Sequence, residues 1–124
     1  MSAITGIAQI AVSVRDLPRA VAFYGDALGL RHLFDAPGMS FFDIGGVRLM
    51  VSAQGGEPAG RGTLIYLKVD DIEQAHTRFE KNAVRFQQAP HVVGRTPNSE
   101  VWLAFCVDPD GNLLGLMSER PLSA

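Results

Sequence analysis

The feature of this sequence that most constrains its fold is an internal repeat. Residues 10–24 and residues 65–79 share one pattern, in which an alternating apolar segment leads through an acidic residue into apolar residues at helical spacing. A shift of 55 residues places Asp16 on Asp71. Period-two alternation is typical of a half-buried strand, and a spacing of three or four is typical of an amphipathic helix. Each copy is therefore predicted to be a strand followed by a helix.

Both predicted helices carry signals for where they begin. Asp16 and Asp71 stand where a carboxylate can accept hydrogen bonds from the first free helix N–H groups. Pro18 fits the first turn of the first helix, where no N–H is needed, and Gly29 is placed to end that helix. The two helices are therefore expected to begin at equivalent positions of the repeat.

A second correspondence relates residues 42–51 to residues 107–116 with a shift of 65. Both segments read as strand, tight turn and strand, with Gly45-Gly46 in the first turn and Pro109-Asp110-Gly111 in the second. The larger shift leaves ten extra residues in the second copy. We place these extra residues in a loop around residues 87–98.

Each half is thus predicted to be a βαβββ module, the first over about residues 1–55 and the second over about residues 63–120. Neither module could bury its sheet alone, whereas two together could form one curved mixed sheet with the helices outside. We therefore predict an α+β fold and a single domain over residues 1–124, with a link near residues 54–62. A generic duplicated α+β domain, such as a ferredoxin-like dimeric barrel, is the alternative that the repeat leaves open.

The composition bounds the partners and the location of the protein. A chain that is 47% hydrophobic and 19% charged is typical of a globular domain. A net charge of -2 without a Lys/Arg cluster argues against nucleic acid as a partner. The chain has no run of 18 apolar residues, which argues against a membrane partner. No signal peptide is evident, so we expect a cytoplasmic protein. The single cysteine, Cys106, cannot form an intrachain disulfide, which fits a reducing compartment.

Three segments resemble the vicinal oxygen chelate superfamily of glyoxalases, bleomycin resistance proteins and dioxygenases. Residues 10–24 are similar to the opening strand and helix of that family, and residues 69–72 to the start of its second helix. Residues 108–113, Asp-Pro-Asp-Gly-Asn-Leu, resemble its final hairpin. The resemblance covers nearly the whole chain and implies the two-module fold, but it says little about activity, because function lies in sites grafted on folds.

The resemblance also implies where a metal would bind. Metal-dependent members place four ligands on the concave face, and these positions fall on Gln9, Met50, Leu64 and Gly115. Leucine and glycine side chains cannot coordinate a metal, and a methionine thioether suits soft ions. We therefore expect no metal cofactor at the family position. The glyoxalase reaction and ring-cleaving dioxygenation, which need that ion, are not expected in their usual form.

Strand alternation predicts which side chains would line a cavity on the inner face. A tight turn at Pro109-Asp110 would pair Cys106 with Leu113 and Ala104 with Gly115, and so place Glu100, Trp102, Ala104 and Cys106 on that face. The predicted ligand-binding residues are Gln9, Phe41, Arg48, Met50, Leu64, Tyr66, Lys68, Trp102 and Gly115.

This mixture of apolar and polar side chains is typical of a small-molecule pocket. Trp102 and Tyr66 could stack on a planar ligand, Arg48 and Lys68 would favour an anionic group, and Gly115 would leave space where the family has a carboxylate. Other roles stay open: Trp102 and Tyr66 as packing residues, Arg48 as a partner of Asp43, and Lys68 extending to the rim.

His91 and Glu100 are the candidate catalytic residues. The segment around His91 resembles a subgroup of the superfamily in which a Pro-His pair precedes an acidic-aromatic strand. A histidine in a loop over a pocket could act as an acid or a base, with Glu100 orienting it. Together with Gln9, the pair could also form a displaced site for one divalent metal. A surface loop histidine is the plainer interpretation, and Cys106 fits a buried apolar role better than that of a nucleophile.

Two functions remain open on this evidence. Bleomycin resistance members of the superfamily sequester a drug in a metal-free cleft, and this chain is similar in its missing ligands and aromatic lining. It would then bind a planar or amphipathic small molecule, favouring an anionic one. The alternative is a glyoxalase-like lyase or isomerase, or another enzyme of this superfamily, with a displaced metal or none. In either case the resemblance implies a homodimer.

Overall fold

The computed structural model describes residue 3 and residues 7–53 and 64–122 of the chain. Helix α1 continues directly into a π-helical segment. In chain order the elements are β1 (Gln9–Ser13), α1 (Leu17–Val21), the π-helical segment (Ala22–Ala27), β2 (Arg31–Ala36), β3 (Met39–Ile44), β4 (Val47–Ser52), β5 (Ile65–Lys68), α2 (Ile72–Lys81), β6 (Arg85–Arg95), β7 (Ser99–Val107) and β8 (Leu113–Pro121).

The chain divides into two compact units, Met1–Ala59 and Gly60–Ala124. The first contains a four-stranded sheet in the order β1-β4-β3-β2, and the second contains a sheet in the order β5-β8-β7-β6. In each sheet one parallel pair joins the first strand to the last, and the other pairs are antiparallel. The predicted α+β fold of two βαβββ modules is confirmed. The predicted link over residues 54–62 lies outside the described residues.

The strand register shows that the repeat in the sequence is also a repeat of strand pairing in the structure. Ala11 lies opposite Met50 in the first sheet, and Tyr66 lies opposite Gly115 in the second. These two pairs are related by the shifts of 55 and 65 residues that the sequence shows. The two modules therefore share one strand pairing as well as one order of elements.

The predicted helix starts are also confirmed. Oδ1 of Asp16 accepts a hydrogen bond from the backbone N–H of Arg19 at 3.1 Å, and Oδ1 of Asp71 accepts one from Gln74 at 3.0 Å. Each carboxylate thus satisfies a helix N–H that has no partner within the helix. Gly29 follows the first helical region with a φ of 78°, the left-handed conformation expected at a helix end.

Each module packs its helix on one face of its sheet, here called the helix face, and the opposite side is called the far face. In the first module Tyr24 and Phe42 meet on the helix face with ring centroids 6.4 Å apart. In the second module Ile72 of α2 packs against Ala104 and Leu116, all three fully buried. The far faces carry the alternate residues of the strands, except where the register shifts in β2 and β6.

In the part of the chain that the structure describes, neither helix is long and apolar enough to cross a bilayer.

The ten extra residues of the second module extend a hairpin. The loop predicted around residues 87–98 is wrong, because β6 runs to Arg95 and β7 begins at Ser99. Three shifts in the pairing of β6 with β7 absorb extra residues within the strand. The short turn is closed by the Thr96 and Ser99 hydroxyl groups, whose oxygens lie 2.6 Å apart.

The turn between β7 and β8 is built around the buried carboxylate of Asp108, which is 3% exposed. Its Oδ1 accepts hydrogen bonds from the backbone N–H groups of Asp110 and Asn112, both at 2.8 Å, and its Oδ2 accepts one from the Asn112 side chain at 2.8 Å. Gly111 takes the left-handed conformation, with a φ of 87°. The result is a five-residue turn over residues 108–112 that brings Val107 opposite Leu113.

This turn corrects the predicted register. We expected Cys106 opposite Leu113, but Cys106 lies opposite Leu114, and Phe105 lies opposite Gly115. A shift of one residue moves every side chain of a strand to the other face. The prediction failed because the Asp108 side chain adds one residue to what reads as a tight turn at Pro109-Asp110.

We predict that Asp108→Ala destabilises the protein by about 1–3 kcal/mol, because it leaves buried N–H donors without their acceptor. Asp108→Asn should lose less stability, since its amide oxygen can still accept hydrogen bonds from the two backbone N–H groups. Urea unfolding of the two variants beside the wild type gives this comparison. A free energy of unfolding for Asp108→Ala within about 0.5 kcal/mol of the wild type would contradict the role assigned to this carboxylate.

Candidate functional site

The far face of the first sheet presents a row of apolar side chains that crosses all four strands. The strand register aligns Ala11, Met50, Phe41 and Phe34 in that order from β1 to β2. A polar row runs beside it and consists of Gln9, Arg48, Asp43 and Arg31. The predicted site residues Gln9, Phe41, Arg48 and Met50 are therefore on one face, as expected.

Two aromatic rings and a guanidinium form the centre of this surface. The rings of Phe34 and Phe41 are stacked, with centroids 4.4 Å apart and an angle of 19° between their planes. The guanidinium carbon of Arg48 lies 5.6 Å from the Phe34 centroid and 5.8 Å from the Phe41 centroid. Both distances lie within the range of a cation–π interaction. We call Phe34, Phe41 and Arg48 the aromatic platform.

Phe34 was not among the residues predicted to bind a ligand. Continued alternation along β2 from His32 would have placed Phe34 on the helix face, but the register shifts by one residue between His32 and Phe34. Phe34 is 44% exposed, whereas Phe41 beneath it is 7% exposed. The exposed ring is thus available to a ligand, and the buried ring supports it.

Polar groups border the platform. Arg48 lies opposite Asp43 in the register, but its guanidinium lies over the two rings, and Asp43 accepts a hydrogen bond from the Gly46 N–H at 3.2 Å. On β1, the Gln9 amide nitrogen donates to the Met50 sulfur at 3.7 Å. Gln9 and Met50, the two positions that correspond to metal ligands in this module, therefore contact each other.

The far face of the second sheet is arranged differently. The Tyr66 ring covers Gly115, since a Cβ placed on Gly115 would lie 2.6 Å from Cδ1 of Tyr66. The space that Gly115 was expected to leave open is therefore filled by Tyr66. Leu64, which corresponds to a metal-ligand position, is half-buried just before β5.

A pocket of about 430 Å³ lies beside Tyr66 within the second module. Its lining combines one aromatic ring, two apolar side chains, one cation and two carboxylates. These residues are Tyr66, Val69, Met117, Lys68, Asp70 and Glu119. Lys68 and Tyr66 thus contribute to one pocket, as the sequence predicted.

The structure places Trp102 away from this pocket. Trp102 lies opposite Ser118 and packs against the Ile72 cluster on the helix face, so its predicted place on the inner face is wrong. Arg120 covers the indole, with its guanidinium carbon 4.1 Å from the ring centroid, and is paired with Glu73 of α2. The indole nitrogen is buried without a hydrogen-bond partner among the described residues.

The same one-residue shift moves Glu100, Ala104 and Cys106 to the helix face. Glu100 pairs with Arg95 at 3.1 Å across the hairpin. Burial, with a smaller effect from the Asp108 charge, raises the pKa of the Cys106 thiol to about 12. Cys106 is therefore a neutral buried thiol at neutral pH, which agrees with its expected apolar role.

His91 and Glu100 are not brought together. His91 lies opposite Leu103, which shares the far face with Gly115 and Met117, whereas Glu100 is on the helix face. His91 lies on β6 and Tyr66 on β5, the two edge strands of the sheet. Three strand spacings separate these strands, a distance across the sheet of roughly 14 Å. The predicted catalytic pair, and a displaced metal site that uses both residues, do not fit this geometry.

A metal is also a poor fit to the four family positions. Gln9, Met50, Leu64 and Gly115 supply one neutral oxygen and one thioether, which is not a donor set for the hard or borderline divalent ions. Among the described residues, no three His, Cys, Asp or Glu side chains are grouped to hold a metal.

The family model of the glyoxalase/bleomycin resistance protein/dioxygenase superfamily matches residues 6–116. The chain belongs to this superfamily. The resemblance seen in its sequence motifs is thereby confirmed. A search of curated proteins found no match to the chain.

Solved structures of the superfamily share the fold. TnmS3, an antibiotic binding protein from Streptomyces sp. CB03234, has 27% identity and a TM-score of 0.75, over 98% of this chain and 100% of that one. Lactoylglutathione lyase from Agrobacterium tumefaciens has 24% identity and a TM-score of 0.73, over 94% of this chain and 96% of that one.

A glyoxalase/bleomycin resistance protein/dioxygenase from Alicyclobacillus acidocaldarius has 19% identity and a TM-score of 0.73, over 92% of this chain and 91% of that one. The likeness to this protein and to the lyase shows the fold of the superfamily alone. It assigns no substrate to this chain.

We predict that Gly115→Ala is harmful only while Tyr66 is present. In the wild type the new methyl group would displace the Tyr66 ring, and we expect a loss of stability. In a Tyr66→Ala background the same change should stabilise the strand by about 0.5–1 kcal/mol, because alanine loses less backbone entropy than glycine. A double-mutant cycle of unfolding free energies measures this coupling. Equal effects of Gly115→Ala in both backgrounds would show that the Tyr66 ring does not occupy this space.

Proposed function

We propose that this member of the superfamily binds a small planar or amphipathic molecule with an anionic group, without a metal and without turning the molecule over. The observation that carries the proposal is the aromatic platform, in which an exposed ring is stacked on a buried one and a guanidinium lies beside both. The finer predictions about the ligand rest on the chemistry of these groups.

The platform offers two kinds of interaction to such a ligand. A flat apolar ring laid on Phe34 would remove its exposed surface from water and gain about 0.5–1.5 kcal/mol from stacking. An anionic substituent could accept charge-assisted hydrogen bonds from Arg48, each contributing about 1.5–3 kcal/mol. The first term selects planar ligands, and the second selects anionic ones.

The neighbouring side chains fit the same role. Met50 adds a polarisable apolar surface in the row with Phe41, and methionine adapts to ligands of varied shape. The Gln9 amide could turn from the Met50 sulfur to a polar group of the ligand. TnmS3, which shares this fold, is an antibiotic binding protein, and this supports a binding function for the chain.

The alternative function is a lyase or isomerase, and one observation favours it. Nδ1 of His91 lies 2.8 Å from the Ala89 carbonyl oxygen. A proton on Nδ1 would be donated to this carbonyl, which would leave Nε2 as a potential base. With Glu100 on the other face, His91 would act without the predicted orienting carboxylate. Turnover of a superfamily substrate that disappears in His91→Ala would favour the enzyme over the binding protein.

A homodimer and a cytoplasmic location stay predictions from the family resemblance and the composition. Size-exclusion chromatography with light scattering tests the first, and a mass of about 13 kDa in solution would contradict it.

The proposed binding function predicts a specific response to 8-anilinonaphthalene-1-sulfonate, an amphipathic anion with a planar naphthalene ring that serves as the probe. We expect the folded protein to bind the probe at one saturable site, and Arg48→Ala to weaken binding about tenfold through loss of the charged donor. Arg19→Ala is the matched control, because Arg19 is an exposed cation on α1, on the helix-face side of the same sheet. Fluorescence titration at constant ionic strength measures all three proteins.

Equal weakening by Arg19→Ala would mean that only net charge matters, and unchanged binding in Arg48→Ala would contradict the platform as the binding site. Circular dichroism of each variant confirms that the fold is intact.

A further inference from the structure

The aromatic platform depends on an irregularity in β2. His32 lies opposite Phe42, but Phe34 lies opposite Phe41, so one extra residue stands in β2 between the two pairs. A regular ladder continuing from His32 would bring Phe34 opposite Ser40, on the helix face. The bulge therefore places Phe34 on the far face, where it can stack on Phe41.

Three polar side chains lie behind this bulge. Nε2 of His32 lies 2.7 Å from Oδ1 of Asp35, and the Ser40 hydroxyl donates to the same oxygen at 2.7 Å. His32 precedes the bulge and Asp35 follows it, so their contact spans the irregular segment. Ser40 belongs to β3 and is fully buried, so its bond ties the end of the segment to the next strand.

Neighbouring groups hold the His32 ring in place and keep the Asp35 carboxyl ionised. The His32 ring meets Phe42 at an angle of 71°, with centroids 5.4 Å apart, which sets the position of the imidazole. The hydrogen bond from His32, and next the one from Ser40, lower the pKa of the Asp35 carboxyl below its usual range. The acceptor thus stays ionised at neutral pH.

We infer that His32, Asp35 and Ser40 are positioning residues that hold the β2 bulge and thereby keep Phe34 stacked on Phe41 beside Arg48. The consequence for ligand binding rests on the proposed function, but the stacking itself can be measured without a ligand. The side chains of His32 and Asp35 are 44% and 65% exposed, and such surface pairs add little to global stability. Loss of the His32 side chain should therefore change the local geometry and leave unfolding nearly unchanged. Loss of the Asp35 carboxylate also leaves the buried Ser40 hydroxyl without its acceptor and should lower stability.

The test is nuclear Overhauser spectroscopy on protein with labelled phenylalanine, free of ligand. The wild type should show cross-peaks between the ring protons of Phe34 and Phe41, and Asp35→Ala should lose them. Asp35→Asn should keep them in part, because its amide oxygen can still accept from His32 and Ser40. Asp26→Ala, which removes an exposed carboxylate on the π-helical segment, is the matched control and should keep them in full.

His32→Ala provides a second test that leaves the Asp35–Ser40 bond in place. We expect it to weaken the cross-peaks, and His32→Gln, whose amide can donate to Asp35, to restore them. The urea midpoint of both His32 variants should stay near that of the wild type, because the Asp35–Ser40 bond is retained. Full cross-peaks in both Asp35→Ala and His32→Ala would overturn the inference.

Titration of the same variants with 8-anilinonaphthalene-1-sulfonate separates this inference from the proposed function. If the platform binds the probe, Asp35→Ala should weaken binding about fivefold, the loss of roughly one aromatic stack. Cross-peaks lost with binding unchanged would support the positioning role and contradict the platform as the ligand site. Phe34–Phe41 cross-peaks retained in full in these variants would overturn the positioning role, whether or not probe binding is weakened.

Discussion

The buried carboxylate of Asp108 determines how the second module presents its side chains. Its bonds to the Asp110 and Asn112 N–H groups make the β7–β8 connection one residue longer than a tight turn would be. That residue sets the register of the hairpin, and the register decides which side chains reach the far face. Trp102 is consequently a packing residue against α2, and Phe105 takes the place beside Gly115.

The two modules use equivalent positions in opposite ways. The first has a small residue on β1 and a large one on β4, Ala11 and Met50, whereas the second has Tyr66 on β5 and Gly115 on β8. In the first module the two family ligand positions contact each other through the Gln9 amide and the Met50 sulfur, and in the second the Tyr66 ring covers Gly115. Such surfaces suit the burial of an organic ligand better than the coordination of an ion, and the proposed function follows from this chemistry.

Sequence reasoning predicted the elements well and the faces only in part. Both N-terminal helix caps, the module order and the far face of the first sheet follow from local patterns that the structure confirms, such as Asp16 before Pro18. The errors come from single extra residues, in the Asp108 turn and in the β2 bulge. Trp102 and Phe105 are both apolar, so alternation could not predict which of them faces α2. No residue pattern in β2 predicts the bulge that moves Phe34 to the far face. The Asp108 and Asp35 carboxylates accept hydrogen bonds within these two local geometries, and spacing alone did not show which groups donate them.

The central claim is that ligand binding occurs on the far face of the first sheet. A titration of methyl-labelled methionine and of the Trp102 indole with 8-anilinonaphthalene-1-sulfonate tests it most directly. Met50 lies in the row with Phe41, Met117 lines the pocket of the second module, and Trp102 lies on the helix face of the second sheet. Each of the three signals therefore reports on one of these surfaces. The account predicts a saturable shift of the Met50 methyl signal with the Trp102 signal unchanged. A shift of Trp102 or Met117 with Met50 unchanged would contradict it.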